Sequence, residues 1–467
     1  MAMEILFSDD SNGMLSVQFM NEGDKRPFNS MPESFTGKKL ETFYLPEKGI
    51  LVIGLGKKDD FKADYYRRAA AKAAKLASSY KIHGVGFAAD SLSENDAIAI
   101  VEGMLLGNYS FDKYKSDDGK FFRVRKIALP TYAKKYHESV QAVAKVCTNV
   151  HMVRDLVSDN SDVVTPDFLE KTARAIAKKN RLHITVLHEK ELKRLGMNLI
   201  LAVGQASAQS PRIIVLEYHG SESSHEKVML VGKGICFDTG GLDIKPRDSM
   251  LDMRMDMAGA ATVLGIMKSA AELGLRKNIV GLLAVTENLI GEKAYRPKDI
   301  IRAYSGLTVE NFDTDAEGRL VLADTLSYGA RKFNPKLIVE FSTLTGSIVG
   351  TFGSHVAGMF GTGNAAEYKK KMYDAGMQTY ERVWELPLFE EYLDETAGDR
   401  SDLRSLGKTR YNGAIFGAAF LTKFVGDRPF IHIDVAGTAM IDEAKDYMPK
   451  DGTGFGVRLA IEFLKKV

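Results

Sequence analysis

The sequence predicts an α/β protein of two domains. A smaller N-terminal α/β domain over residues 1–150 precedes a larger C-terminal one over residues 151–467, whose central, mostly parallel mixed sheet is flanked by helices. Three observations predict this. Short apolar stretches alternate with amphipathic helical ones from end to end. At 467 residues the chain exceeds what one hydrophobic core usually serves. The apolar runs of the second part are nearly continuous Val, Ile and Leu, as expected of strands buried on both faces.

In the N-terminal part, residues 14–20 and 50–54 read as strands, residues 65–80 as an Ala-rich helix and residues 82–88 as another strand. Residues 93–106 read as a helix, 121–129 as a strand and 133–158 as a long helical run that connects the domains. Asp159-Asn160-Ser161-Asp162 breaks that periodicity, and Thr165-Pro166-Asp167 opens a new helix with cap and first-turn chemistry. The boundary therefore falls near residues 150–165. Strands are expected at 184–187, 213–218, 228–231, 279–285, 337–341 and 430–435. The candidate site residues follow such strands, where open α/β sheets place their ligands.

Composition narrows the function. Hydrophobic content of 45% and charged content of 27% describe an ordinary globular protein. A formal net charge of +2 gives no general reason to expect nucleic acid or an anionic membrane as the main partner. Cys147 and Cys236 cannot build a disulfide framework, which suits a reducing compartment. Residues 1–10 lack the basic and apolar regions of a secretory signal, and no apolar run of about 18 residues could span a bilayer. A cytoplasmic protein without a membrane partner is expected.

Three short motifs fail. Gly54-Leu55-Gly56 has Asp59 where a dinucleotide loop needs its third glycine; Gly407-Lys408-Thr409 has Asp402 where a phosphate loop needs its first. His188-Glu189 has Leu192 in place of the second zinc-protease histidine. The nine histidines show no ligand spacing, so a metal here would be held chiefly by oxygen.

The informative stretch is Asp315-Ala316-Glu317-Gly318-Arg319. In an extended backbone alternate side chains share a face, so its two carboxylates and guanidinium would converge. Upstream, the run from Val231 through Lys233, Asp238 and Gly240-Gly241 leads by Lys245 to Asp256. Asp238, Asp256, Asp315 and Glu317 in one place would repel, and two divalent cations would balance their four charges. Such a pair can acidify a shared water and polarise a carbonyl, and hydrolysis of an amide or ester is the natural use. Lys233, between glycines after a strand, is expected at the strand end with little cover, able to lose its proton beside a dication and act as a nitrogen ligand. Lys245 and Arg319 remain cations for an anion or a developing oxyanion. Gly240-Gly241 and Ala258-Gly259-Ala260-Ala261 let backbone approach closely. Taken alone, each piece has an ordinary reading as a turn, an idle lysine or a helix-start acid. Their conjunction after successive strands argues otherwise. Ligand types alone leave phosphoryl transfer with Mg²⁺ or Mn²⁺ open.

These residues resemble the leucine aminopeptidase (cytosol aminopeptidase) family, whose signature is close to Asn-Thr-Asp-Ala-Glu-Gly-Arg-Leu. The chain reads Asp313-Thr314-Asp315-Ala316-Glu317-Gly318-Arg319-Leu320, continued by Val321-Leu322-Ala323-Asp324. The block 231–261 fits with unbroken spacing, and Val153-Arg154-Asp155-Leu156-Val157, Thr343-Leu344-Thr345-Gly346 and Asp434-Val435-Ala436-Gly437 match further. The resemblance covers residues 150–467 and is weak before them.

It implies a two-metal exopeptidase whose catalytic domain is the C-terminal one, using two divalent ions, zinc or manganese, and bicarbonate. Asp238 and Glu317 would bridge both metals, Lys233 and Asp256 would complete one site, and Asp315 the more exchangeable one. Lys245 would steady the scissile carbonyl oxygen, and Arg319 would hold the bicarbonate that serves as general base. Met253, Thr343, Leu344, Gly346 and Ala436 would line an apolar substrate pocket suited to leucine-like N-terminal residues. Peptides with a free N-terminus, and a homohexamer supported by the family-variable N-terminal domain, are the implied partners. Some bacterial members also bind DNA, a reading the balanced charge disfavours, and the seven matched active residues argue against an inactive homologue. Asp313 and Asp243 depart from the family's usual asparagine and small polar residue, and each could add negative charge near the cluster, although Asp313 is expected to point away.

Overall fold

The computed structural model describes residues 3–60, 62–409 and 411–467. The chain divides into two compact units: Met1–His151 with Asp442–Lys450, and Met152–Ile441 with Asp451–Val467.

The first unit is built on a six-stranded sheet. Its strands are β1 (Glu4–Phe7), β2 (Leu15–Asn21), β3 (Thr42–Leu45), β4 (Ile50–Gly56), β5 (Gly84–Ala88) and β6 (Lys126–Leu129), in the order β1-β6-β5-β2-β4-β3. All neighbours are parallel except β3 and β4. Helices Ala63–Ser79 and Glu94–Gly107 pack closely because small residues meet: a methyl group at Gly103 would stand 2.0 Å from the Arg67 carbonyl oxygen.

Two expectations shift here. The strand foreseen over 121–129 shortens to β6, because the side chain of Asn108 occupies both polar groups of the Val124 backbone at 2.9 Å. The helix foreseen from residue 133 begins as a 3₁₀ segment, Thr131–Tyr136, and is α-helical over His137–Ser158.

The second unit carries an eight-stranded mixed sheet, a small three-stranded one and a two-stranded pair, Met440–Ile441 with Asp451–Gly452. Its strands are β7 (His183–Leu187), β8 (Arg212–His219), β9 (Lys227–Asp238), β10 (Asn278–Asn288), β11 (Ile300–Arg302), β12 (Thr308–Glu310), β13 (Leu337–Ser342), β14 (Ala357–Gly361), β15 (Val383–Glu385), β16 (Leu403–Arg404) and β17 (Phe430–Asp434). The large sheet runs β15-β14-β17-β13-β9-β10-β8-β7, and its four central strands, β17, β13, β9 and β10, are mutually parallel. Strand β10 is buried along its whole length, and Val231, Leu282, Leu320, Ile338 and Phe420 belong to the core beside it. Among the described residues no helix is long and apolar enough to cross a membrane.

Lys233 departs from expectation. It lies inside β9, paired with Ala284, because the strand runs on past Val231 to Asp238. Its flanking glycines do not end the strand. A methyl group at Gly232 would stand 2.5 Å from the Gly259 carbonyl oxygen, so the glycine admits the backbone of helix Ala258–Leu273. The carboxyl ends of the central strands bring Asp238, Asn288, Ser342 and Asp434 to one edge of the sheet.

Candidate metal centre

At that edge two lysines and four acids interlock. Lys233 is 3% exposed; its Nζ donates to Asp256 Oδ1 at 2.8 Å and to the Thr343 carbonyl at 3.0 Å, and pairs with Glu317 Oε1 at 2.8 Å. Asp256 belongs to the 3₁₀ segment Met253–Met257 that feeds helix Ala258–Leu273, and the Thr343 hydroxyl donates to its Oδ1 at 2.6 Å. Lys245 Nζ pairs with Asp238 Oδ2 at 2.8 Å and with Asp315 Oδ1 at 2.5 Å. Asp238 closes β9, and its Oδ1 accepts from the Gly240 N–H at 2.9 Å and from Asn288 Nδ2 at 2.8 Å. The turn that carries Lys245 back over Asp238 needs left-handed backbone, which Gly240 (φ 87°) and Gly241 (φ 68°) supply.

The signature segment is not extended, as the sequence suggested. Ala316 (φ −100°, ψ 33°) turns the chain, and helix Glu317–Phe333 begins at once. Asp315 and Glu317 still converge, because this turn folds them towards Asp238. One oxygen from each of Asp238, Asp315 and Glu317 lies within 4.8 Å of the others. Lys233, Asp238, Lys245, Asp256, Asp315 and Glu317 are therefore all brought together.

Arg319 is buried in the first turn of the same helix. Its Nη1 donates to the Ser405 carbonyl at 2.7 Å, and its guanidinium lies 5.7 Å from the Phe416 ring centroid. Gly417 links it to the strand edge: a methyl group there would stand 3.0 Å from Leu344 Cδ2 and 3.7 Å from Arg319 Nη2. Asp434 organises the neighbouring backbone, since its Oδ1 accepts from Leu344 N–H at 3.1 Å and Ala436 N–H at 3.2 Å, and its Oδ2 from the Thr345 hydroxyl at 2.7 Å. Gly346 opens helix Gly346–Phe352, Ala436 is buried beside Ile348 and Phe360, and Met253 begins the segment that holds Asp256.

The electrostatics follow from burial and crowding. Burial foremost, then the neighbouring carboxylates Glu317 and Asp238, push Asp315 up to about 7. Asp256 and Glu317 are raised by the same causes, against the pull of Lys233. For Lys233 and Lys245 burial disfavours the ammonium, but the surrounding carboxylates outweigh it and hold both protons above the ordinary lysine range. Burial brings Arg319 down to about 10. Asp256 Oδ2 is buried and has no hydrogen-bond partner. A crowd of acids whose charge two lysines offset only in part, with an unpartnered carboxylate oxygen, is a donor set that fits hard or borderline divalent cations.

Sequence reading missed Asn288, Thr314, Tyr295 and Ser405, which contact this cluster or its carriers. One signal was available for Asn288, an amide just past the carboxyl end of the apolar run at residues 279–285. Thr314 stood inside the signature but between two more conspicuous acids.

Comparison with known proteins points the same way. Residues 151–461 match the profile described as "Cytosol aminopeptidase family, catalytic domain", and residues 32–118 its N-terminal domain. A "Probable cytosol aminopeptidase" of Geobacter sulfurreducens is 41% identical over 428 residues, covering 90% of this chain and 86% of that one. One from Aquifex aeolicus is 37% identical over 490 residues, covering 99% and 98%. Among solved structures, the bottromycin maturation enzyme BotP superposes with a TM-score of 0.88 at 28% identity, covering 97% of this chain and 99% of that one. The same enzyme in complex with Mn gives the same TM-score and identity, covering 97% and 98%.

Proposed function

The chain belongs to the cytosol aminopeptidase family, a metallo-exopeptidase hydrolase, and from that premise we propose that it removes leucine-like, apolar residues from peptides with a free N-terminus. The observation that carries this reading is the convergence of Asp238, Asp315 and Glu317 within 4.8 Å, bracketed by Lys233 and Lys245.

In this reading Lys233, Asp238, Asp256, Asp315 and Glu317 would hold two divalent ions, zinc or manganese. The manganese complex of BotP supports the second choice. When bound, such ions supply Lewis acidity for the scissile carbonyl and a water acidic enough to attack it. Lys245, paired with both Asp238 and Asp315, would steady the oxygen on which negative charge develops. Arg319, held over Phe416 and by Ser405, would bind bicarbonate as general base. Met253, Thr343, Leu344, Gly346 and Ala436 line the side-chain pocket, positioned in part by the Asp434 carboxylate. The family assignment further supports residues 1–150 and 151–467 as N-terminal and catalytic domains, a homohexamer and a cytoplasmic location.

The test is hydrolysis of a leucyl-anilide with and without chelator, then with manganese or zinc restored, beside an N-acetylated substrate. Activity should vanish with chelator, return with metal and be absent on the acetylated substrate. Equal cleavage of the acetylated substrate would eliminate recognition of the free amine.

A further inference from the structure

Three chain segments that carry the centre meet at one buried threonine. Thr314 and Asn288 are both 0% exposed. The Thr314 N–H donates to Asp243 Oδ2 at 2.8 Å, and its carbonyl accepts from Asn288 Nδ2 at 3.0 Å and from the Tyr295 hydroxyl at 2.6 Å. Its own hydroxyl donates to the Gly240 carbonyl at 2.6 Å while accepting the Asp243 N–H at 2.8 Å. The turn carrying Asp238 and Lys245, the end of β10, and the segment bearing Asp315 and Glu317 are thus tied at a single residue.

Asn288 suits this place by its donor count. Its NH₂ offers two protons in one plane, one for Asp238 Oδ1 at 2.8 Å and one for the Thr314 carbonyl at 3.0 Å. A carboxylate would set lone pairs against both acceptors, and a hydroxyl could satisfy only one. The β9–β10 register shifts between Thr286 and Asn288, an irregularity that sets Asn288 opposite Asp238. With Oδ1 of Asp238 engaged by Asn288 and Gly240, its Oδ2 is directed at the cluster, where Lys245 meets it.

Resting on the two-metal reading above, we propose that Asn288 and Thr314 are positioning residues of the metal centre, fixing Asp238 against the Asp315–Glu317 turn so that the ligand set is formed before metal arrives. Partners behind metal ligands typically contribute 10- to 100-fold in affinity or activity, so roughly that loss is expected when either is removed.

The test uses the full chain stripped of metal. Mn²⁺ is titrated in and the free ion read by paramagnetic resonance, with kcat and KM for a leucyl-anilide measured at saturating Mn²⁺. Thr314→Val keeps the shape and deletes the hydroxyl; Asn288→Ala deletes both donors. Each should weaken Mn²⁺ binding by about 10- to 100-fold and lower kcat far more than it raises KM. Thr314→Ser, which restores the hydroxyl, should bind Mn²⁺ close to wild type. Wild-type Mn²⁺ affinity in Thr314→Val and Asn288→Ala, or a Thr314→Ser variant as weak as Thr314→Val, would overturn the proposal. Loss of the folded metal-free state in both deletion variants would assign the node to folding alone and overturn it too. Failure of the underlying reading looks different: the wild-type chain would bind no Mn²⁺, or Glu317→Gln would bind it unchanged.

Discussion

Asp313 stands where the family usually has asparagine, and its Oδ1 accepts the Asp315 N–H at 2.8 Å. An asparagine offers the same acceptor oxygen two bonds from the same Cβ, so the bond that shapes the turn does not depend on charge. Asp313→Asn should therefore leave Mn²⁺ affinity and KM unchanged, and a clear change in either by metal titration and steady-state kinetics would give the carboxylate charge a direct role. Asp243 is similarly spent on Thr314 rather than aimed at the cluster. Residue types were legible in the sequence because the charge argument needs only composition and spacing. The pairings were not. Whether Lys245 would meet Asp315, or Arg319 the Ser405 carbonyl, depends on loops dozens of residues apart.

Helix Glu317–Phe333 is the element that delivers the chemistry, and two of its residues show how it is seated. A methyl group at Gly318 would stand 2.6 Å from Lys233 Cε and 2.8 Å from its Nζ. That side chain is held by Asp256, Glu317 and Thr343, so it can yield only by breaking those bonds. Alanine gains helix propensity of at most about 1 kcal/mol over glycine, which offsets little of the local strain but keeps the helix folded. Gly318→Ala should thus cost about tenfold or more in Mn²⁺ affinity and also lower the metal-free melting temperature, because the buried pairs of Lys233 are disturbed in both states. Further along, buried Asp324 accepts three backbone N–H groups, from Leu199 at 2.9 Å, Ile200 at 3.2 Å and Tyr304 at 2.8 Å. Asp324→Ala would orphan these donors and should cost about 3 kcal/mol, read by denaturant unfolding; a cost under about 0.5 kcal/mol would show that water replaces the carboxylate. Most elements of the sheet were legible as apolar runs. The helix start at Glu317 was not, because alternation in a five-residue window looks the same in a strand and in a turn entering a helix. Nor was the true end of β9, since Gly232 reads as punctuation when its purpose is contact with Gly259.

Over the whole molecule, fold class was legible because alternating elements and doubly buried strands leave periodic traces. The place of Asp442–Lys450 with the first unit was not, since contacts rather than chain order decide it: Tyr447 donates to Asp64 Oδ1 at 2.9 Å, and Asp446 pairs with Arg68 at 2.8 Å. The same molecule-wide view predicts how metal and protons compete. Lys233 keeps its proton well into the alkaline range beside Asp256 and Glu317, and Asp315 is pushed up to about 7. Ligation through a neutral amine and an ionised carboxylate must release those protons, so affinity falls as pH falls and neutral solution is where the release from Asp315 is partial. Titrating Mn²⁺ calorimetrically at pH 7 in buffers of differing ionisation enthalpy should show net proton release, from Lys233 and from the carboxyls that burial and crowding raise, Asp256 and Asp315 among them. An ion bound by the folded chain alone and present at 100-fold its dissociation constant adds about 2.7 kcal/mol of stability per site, the increment expected here for Mn²⁺. The melting temperature should therefore rise with Mn²⁺ and return with chelator, and the rise should disappear in Glu317→Gln. Heat that does not depend on the buffer would exclude both Lys233 as an amine ligand and ligation by the raised carboxyl of Asp315.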